Sequence, residues 1–268
     1  MAADSYIQKA LDFNPLKEPI MRDMIAALQF PAGSWGLDAG CGIGLQCLLL
    51  AEAVDFNGHI TGLDISPEFL DRGRNIVKEA GLSERISFQE GDVADLPFDK
   101  HTFDWVWSAD CVGYVPMEPQ QLLKELVRVV KPGGIVAICA WSSENLLPGY
   151  PRLEARLRAT SAGIAPFVQG KKPEKHFYRA LSWFHDLGLK EPGAKVYADC
   201  CHAPLDQKIY SALKSLFDMR WPSVENELSS EDATEFRRMC LPDSPDFILN
   251  LPDYYAHYTY TLFWGKVA

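Results

Sequence analysis

The apolar positions of this chain change their period several times, and each change marks an element. Over the first thirty residues they recur near helical spacing, with Ile20, Met24, Ala27 and Leu28 on one face, and Pro31-Ala32-Gly33 ends the pattern. "SWGLDAG" (34–40) then reads as a short strand, followed by a glycine-rich turn and an apolar helix, "LQCLLLAEAV" (45–54). Asn57-Gly58 signals a turn before a second strand, "HITGLDIS", which carries Asp64 near its end. Ser66-Pro67-Glu68 combines a capping serine, a proline at the first helical position and an acid in the first turn. A helix is predicted from there to Ala80, with Gly81 as its stop. "RISFQEGD" is a third strand ending at Asp92. "FDWVWSAD" is a fourth, nearly continuous in apolar residues as expected of a strand buried on both faces. A helix over 118–130 and a "KPGG" turn lead into "IVAICAW", a fifth strand.

Strand and helix alternate without a break as far as Trp141. Alternation of this kind predicts a parallel sheet wrapped by helices, with its ligand at the carboxyl ends of the strands. Beyond Trp141 the rhythm changes. Residues 142–175 are irregular and proline-bearing with one helix in "YPRLEARLRATSAG", "HFYRALSWFHDLG" is a helix stopped by Gly188, and "AKVYADCCHAP" is another strand. Residues 205–253 read as helices and loops, and "HYTYTLFWGKVA" alternates, returning to the sheet as a last strand. The chain thus divides into an N-terminal helical lid (1–30), a core (31–141) and a remainder of the core with an irregular insertion (142–204). A helical cap (205–253) and a final strand (254–268) complete it.

A formal net charge of −10 over 268 residues argues against a nucleic-acid partner, which wants a basic surface. No apolar run approaches the roughly 20 residues that span a bilayer, and the N-terminus lacks a signal-peptide core, so a soluble, cytoplasmic protein is predicted. Seven cysteines without C-x-x-C spacing support neither a disulfide framework nor a metal site, and Cys200–Cys201 reads as part of a half-buried strand.

Candidate chemistry concentrates in "LDAGCGIGLQ" (37–46), where glycines at 40, 42 and 44 let a ligand approach the main chain closely. A dinucleotide site would want G-x-G-x-x-G, but position 45 is leucine and Asp38 stands beside the loop, where a pyrophosphate would be repelled. Asp38, Asp64 and Asp92, placed at the ends of the first three strands, share one rim. A carboxylate after the second strand can accept hydrogen bonds from the vicinal hydroxyls of a ribose, and one strand further out it can accept from an adenine amino group. Each acid alone could equally cap the helix that follows it.

Together "GLDAGCGIG", "GLDIS", "EGDVADLPFDKHTFDWVWSADCVGYV" and "RVVKPGG" resemble the class I S-adenosylmethionine-dependent methyltransferases, most of all the group with the ubiquinone/menaquinone C-methyltransferases, over roughly residues 30–140. The resemblance implies a Rossmann-like, doubly wound, mostly parallel seven-stranded α/β sheet with an antiparallel last strand. It implies S-adenosylmethionine as methyl donor, S-adenosylhomocysteine as product and a small organic molecule as acceptor. Carried over by position, the main chain of Ala39, Gly40, Cys41 and Gly42 would hold the methionine end, with Asp38 near its ammonium and Gly44 in the same cofactor-binding loop. Asp64 would take the ribose hydroxyls, Ile65 the adenine face, Asp92 and Val93 the adenine edge, and Ser108 and Ala109 the methionine portion. Asp110 falls where the family varies. Candidates for a base or an acceptor contact are Tyr114, His176, His202 and His257. Tyr6, Phe13 and Trp141 are further acceptor contacts, and the aromatics of the C-terminal third suit an apolar or ring-containing acceptor. Two other readings stay open: a nicotinamide-dependent oxidoreductase, and a binder of S-adenosylmethionine without catalysis.

Overall fold

The computed structural model describes residues 2–113, 117–163 and 172–268. Its elements follow the alternation: α1 (Ala2–Leu28), β1 (Trp35–Ala39), α2 (Leu45–Ala53), β2 (His59–Asp64), α3 (Pro67–Glu79), β3 (Ile86–Glu90), β4 (Phe103–Ala109), α4 (Pro119–Val129) and β5 (Val130–Asn145). Then come α5 (Pro151–Arg158), α6 (Ala180–Asp186), β6 (Lys190–His202), α7 (Gln207–Arg220), α8 (Ser230–Cys240) and β7 (Tyr255–Lys266), with short 3-10 turns between them.

The seven strands lie in the order β3-β2-β1-β4-β5-β7-β6. The pairs β2–β3, β1–β2, β1–β4 and β4–β5 are parallel. β7 runs against β5: Gly133 N–H donates to the carbonyl of Val267 at one end of the pair, and Ser142 Oγ donates to that of Thr259 at the other. The expected class is therefore present, a mostly parallel sheet with an antiparallel last strand. The residues fall into two compact units. One comprises Met21–Trp141, Lys172–Tyr197 and Tyr260–Ala268, and the other takes the rest of the described chain.

In the first unit the core is built on β1 and β4. Trp105 and Trp107 are fully buried, and aromatic side chains of that size dominate core energetics. Phe30 stacks on Trp105 with ring centroids 3.9 Å apart, and the Trp105 indole N–H donates to Ser34 Oγ at 2.8 Å. A Cβ on Gly36 would lie 2.0 Å from the Trp105 ring, so this strand position admits only glycine.

Two expected boundaries are corrected. β3 stops at Glu90, so Asp92 sits beyond the strand, in a turn bridged to Asp95. "KPGG" belongs to β5: pairing moves from Phe103↔Val130 to Trp105↔Ile135, so the segment bulges out of the ladder. The bulge keeps its backbone bonded, because Val267 N–H returns a bond to the Gly134 carbonyl at 2.9 Å.

Candidate functional site

The loop between β1 and α2 is shaped by its backbone. Gly40, Gly42 and Gly44 all have left-handed φ (81°, 54° and 74°), a region that side-chain-bearing residues adopt only at a cost. Gly44 caps α2 and packs so tightly that a Cβ there would come within 2.6 Å of the Phe88 ring. Gly42 differs: a Cβ would meet nothing within 4 Å, so this turn of main chain faces open space.

The loop is tied to β2. The N–H groups of Gly40 and Cys41 donate to the Leu63 carbonyl at 2.8 and 2.9 Å. Gly42 N–H donates to Asp64 Oδ2 at 2.9 Å, and Ser66 N–H to Asp64 Oδ1 at 3.0 Å. An ionised carboxylate has about four acceptor directions, so Asp64 is fixed by two backbone donors and retains capacity for a ligand's hydroxyls. It is partly exposed, and its neighbour Ile65 is 68% exposed.

Asp38 is different in kind. It is buried beneath the loop and accepts a hydrogen bond from the Cys47 thiol at 3.3 Å. The bond from Cys41, burial and the charge of Asp38 all push the Cys47 thiol well above its ordinary pKa. Cys111 is pushed up to about 12, chiefly by burial, with the charges of Asp64, Asp38 and Asp110 adding to it and a bond with Ser108 opposing. Both thiols therefore stay protonated at neutral pH and act as packing and weak donors.

β4 closes the other side. Ser108, fully buried, donates from Oγ to the Ala39 carbonyl at 2.7 Å, and Trp107 donates to Gln46 Oε1 at 2.8 Å. Cys111 lies against Gly40, whose added Cβ would be 3.0 Å from its sulfur. Asp110, between them, has a left-handed φ of 52°. Its carboxylate accepts from Trp141 N–H and from the Tyr260 hydroxyl, each at 3.1 Å. The Trp141 and Tyr260 rings meet edge to face at 5.5 Å.

The structure thus gathers Asp38, Ala39, Gly40, Cys41, Gly42, Gly44, Asp64, Ser108 and Ala109 at one end of the parallel strands. Asp92 is exposed and accepts from Ala94 N–H at 2.8 Å, while Val93 is buried. Trp141 is 8% exposed. His176, in the same unit, caps a short turn by accepting from Tyr178 N–H. Tyr6, Phe13, His202 and His257 belong to the other unit; there Tyr6 is exposed and His202 bonds the Ala203 carbonyl. Tyr114 lies outside the described residues. The anchoring of Asp110 by Tyr260, 150 positions along the chain, had no local signature.

The chain matches the model of a methyltransferase domain over residues 37–138. It is 32% identical over 177 residues to a demethylmenaquinone methyltransferase of Bacillus cytotoxicus, an alignment covering 66% of this chain and 71% of that relative. A norajmaline N-methyltransferase of Rauvolfia serpentina is 33% identical over 118 residues, covering 44% of this chain and 39% of that enzyme. Among solved structures, the YcgJ protein of Bacillus subtilis superposes with a TM-score of 0.59 at 16% identity, covering 93% of this chain and 98% of that one.

Proposed function

Because the chain belongs to the class I S-adenosylmethionine-dependent methyltransferases, we propose that it binds S-adenosylmethionine along the β1–α2 loop and passes the methyl group to a small organic acceptor, leaving S-adenosylhomocysteine. The observation that carries this reading is the fixed Asp64 carboxylate beside the open side of Gly42. Together they suit a ligand with a ribose diol at one end and an amino-acid moiety laid against main chain. Buried Asp38 beneath the loop favours a cationic end over an anionic one, which supports a methionine ammonium and disfavours a pyrophosphate. Ile65 offers apolar surface to a base, and Asp92 and Val93 its edge. The seven free cysteines suit a reducing, cytoplasmic compartment.

When bound, the sulfonium supplies an activated methyl group with its leaving group in place. The protein's share is alignment and exclusion of water. The loop holds the donor by main chain, Asp64 sets its rotation, and the buried Ser108–Ala39 bond fixes β4 against the loop. A general base is needed only where the acceptor must lose a proton at attack.

Calorimetric titration tests the reading. S-adenosylmethionine and S-adenosylhomocysteine are expected to bind with one site, and NADH not at all. Asp64→Ala is expected to weaken both ligands by about ten- to a hundredfold, roughly 1.4–2.7 kcal/mol. Binding of NADH alone, or an Asp64→Ala variant with undiminished affinity, would overturn it.

A further inference from the structure

β6 lies at one end of the sheet, with β7 as its neighbour. Among its 13 residues only Cys201 is buried. An open edge of this length is a template for another strand, and folded proteins ordinarily blunt it with charges, proline or bulges. In β6 such devices gather at one end, where Glu191 has a left-handed φ of 50° and Pro192 lacks an amide hydrogen. From Ala194 to Cys200 the edge carries one lysine, Lys195, and one aspartate, Asp199, answers it.

The direction of the free backbone groups follows from the pairing with β7. Ala203 N–H donates to the Tyr254 carbonyl at 2.8 Å, and Gly193 lies against the Trp264 ring, in keeping with one antiparallel register along the strand. Bonding direction alternates along a strand, so the N–H and C=O groups of Ala194, Val196, Ala198 and Cys200 face outwards. Cys200 N–H agrees: it donates to the carboxylate of its own neighbour, Asp199 Oδ1, at 2.8 Å. The side chains of these four residues are exposed as well, Val196 by 58%. On the opposite face, Lys195 lies over the Tyr197 ring at 4.6 Å and makes no ion pair among the described residues.

We propose that this edge pairs with the same edge of a second copy of the chain, antiparallel about a two-fold axis at Tyr197, so that two sheets become one. Each face stays continuous across such a pair only in registers centred on a residue. Centring on Tyr197 sets Lys195 opposite Asp199 of the second copy, and Asp199 opposite its Lys195, at the non-hydrogen-bonded sites where side chains come closest. A slip of two residues either way sets Lys195 opposite Tyr197 or Cys201 instead and leaves Asp199 without a cation. In the centred register Val196 and Ala198 exchange main-chain bonds across the axis, and Ala194 and Cys200 do so further out. Cys200 N–H then donates to a carbonyl of the second copy, and the Asp199 carboxylate is released to the lysine. The main-chain bonds supply attachment, and the two ion pairs fix register and partner.

Sedimentation equilibrium of the full chain tests this, with melting curves to show that each variant folds. Wild type is expected to sediment as a dimer at about 100 μM, where a micromolar association is nearly complete. Lys195→Glu sets like charges opposite each other and is expected to weaken the dimer at least about tenfold, as is Asp199→Lys. The two substitutions together are expected to restore it to within about threefold of wild type. Register is read by oxidation with glutathione disulfide in a Cys200→Ser background. Tyr197→Cys is expected to form a covalent dimer across the axis. Lys195→Cys is expected to remain uncrosslinked, because its two copies lie about 13 Å apart, beyond the reach of a disulfide. A monomer at about 100 μM overturns the proposal. So does a dimer indifferent to both charge reversals, or one in which Lys195→Cys crosslinks as readily as Tyr197→Cys.

Discussion

At the residue scale, the three loop glycines share a conformation but not a reason. Gly44 is confined by the Phe88 ring, whereas Gly42 borders open space. Alanine at position 44 combines left-handed strain with a 2.6 Å approach to an aromatic ring, and is expected to cost about 2–4 kcal/mol of stability. Alanine at 42 carries the strain alone, about 1 kcal/mol, yet places a methyl group where the ligand would lie. Gly42→Ala should therefore unfold in urea close to wild type while losing most S-adenosylmethionine affinity, and Gly44→Ala should lose stability first. The reverse ranking in unfolding would contradict the packing argument. The spacing of 40, 42 and 44 was legible in the sequence because left-handed turns select glycine locally. Which of them borders open space was not, because that depends on Phe88 and Cys111 arriving from β3 and from just beyond β4. Asp38 likewise reads as a rim acid in sequence, but folds beneath the loop against Cys47.

At the element scale, strand and helix order was legible through Trp141 because period and turn chemistry agree there. The ends were less so. "RISFQEGD" continues in pattern past the point where pairing with β2 stops at Asp64↔Glu90, and no local rule records where a partner strand runs out. The segment after β3 is held instead from α4. Arg128 donates to the carbonyls of Leu96 and Phe98 and pairs with Glu125 at 2.6 Å, and Glu125 accepts from Leu96 N–H at 3.0 Å. Glu125 is consequently held below its ordinary pKa of 4.5, first by the bond from Arg128, against a smaller opposing effect of burial, with Leu96 N–H adding. A carboxylate depressed in the folded state contributes stability above its unfolded pKa, and that contribution fades as pH falls through the unfolded value toward the folded one. Glu125→Gln is thus expected to lower the melting temperature at pH 7, with the gap to wild type narrowing as pH falls below about 4.5 and closing only once Glu125 is protonated in the folded chain as well. A gap unchanged from pH 7 to pH 3 would remove the clamp from the account.

At the scale of the whole molecule, 36 acidic residues against 26 basic ones leave a net charge of −10, and this bears on which ligand the fold admits. S-adenosylmethionine carries a net positive charge, its demethylated product is neutral overall, and NADH is an anion. A ligand that binds only the folded chain stabilises it by about 2.7 kcal/mol at a hundred times its dissociation constant, which for a chain of this size raises the melting temperature by about 5 °C. Both S-adenosyl ligands should produce such shifts, since the ribose and main-chain contacts are common to them, and NADH should produce none. The charge difference adds a second, separable signature. Attraction from exposed carboxylates is screened within about 8 Å at physiological salt and reaches about 30 Å at 0.01 M, so the extra shift from the sulfonium should be largest at low ionic strength and shrink as salt rises. The contribution of buried Asp38 should persist, because buried charges are screened far less. Melting curves at two salt concentrations therefore separate the general acidity of the surface from the local acidity of the loop. A shift from S-adenosylmethionine that vanished entirely at high salt would mean that the loop itself contributes nothing to recognition.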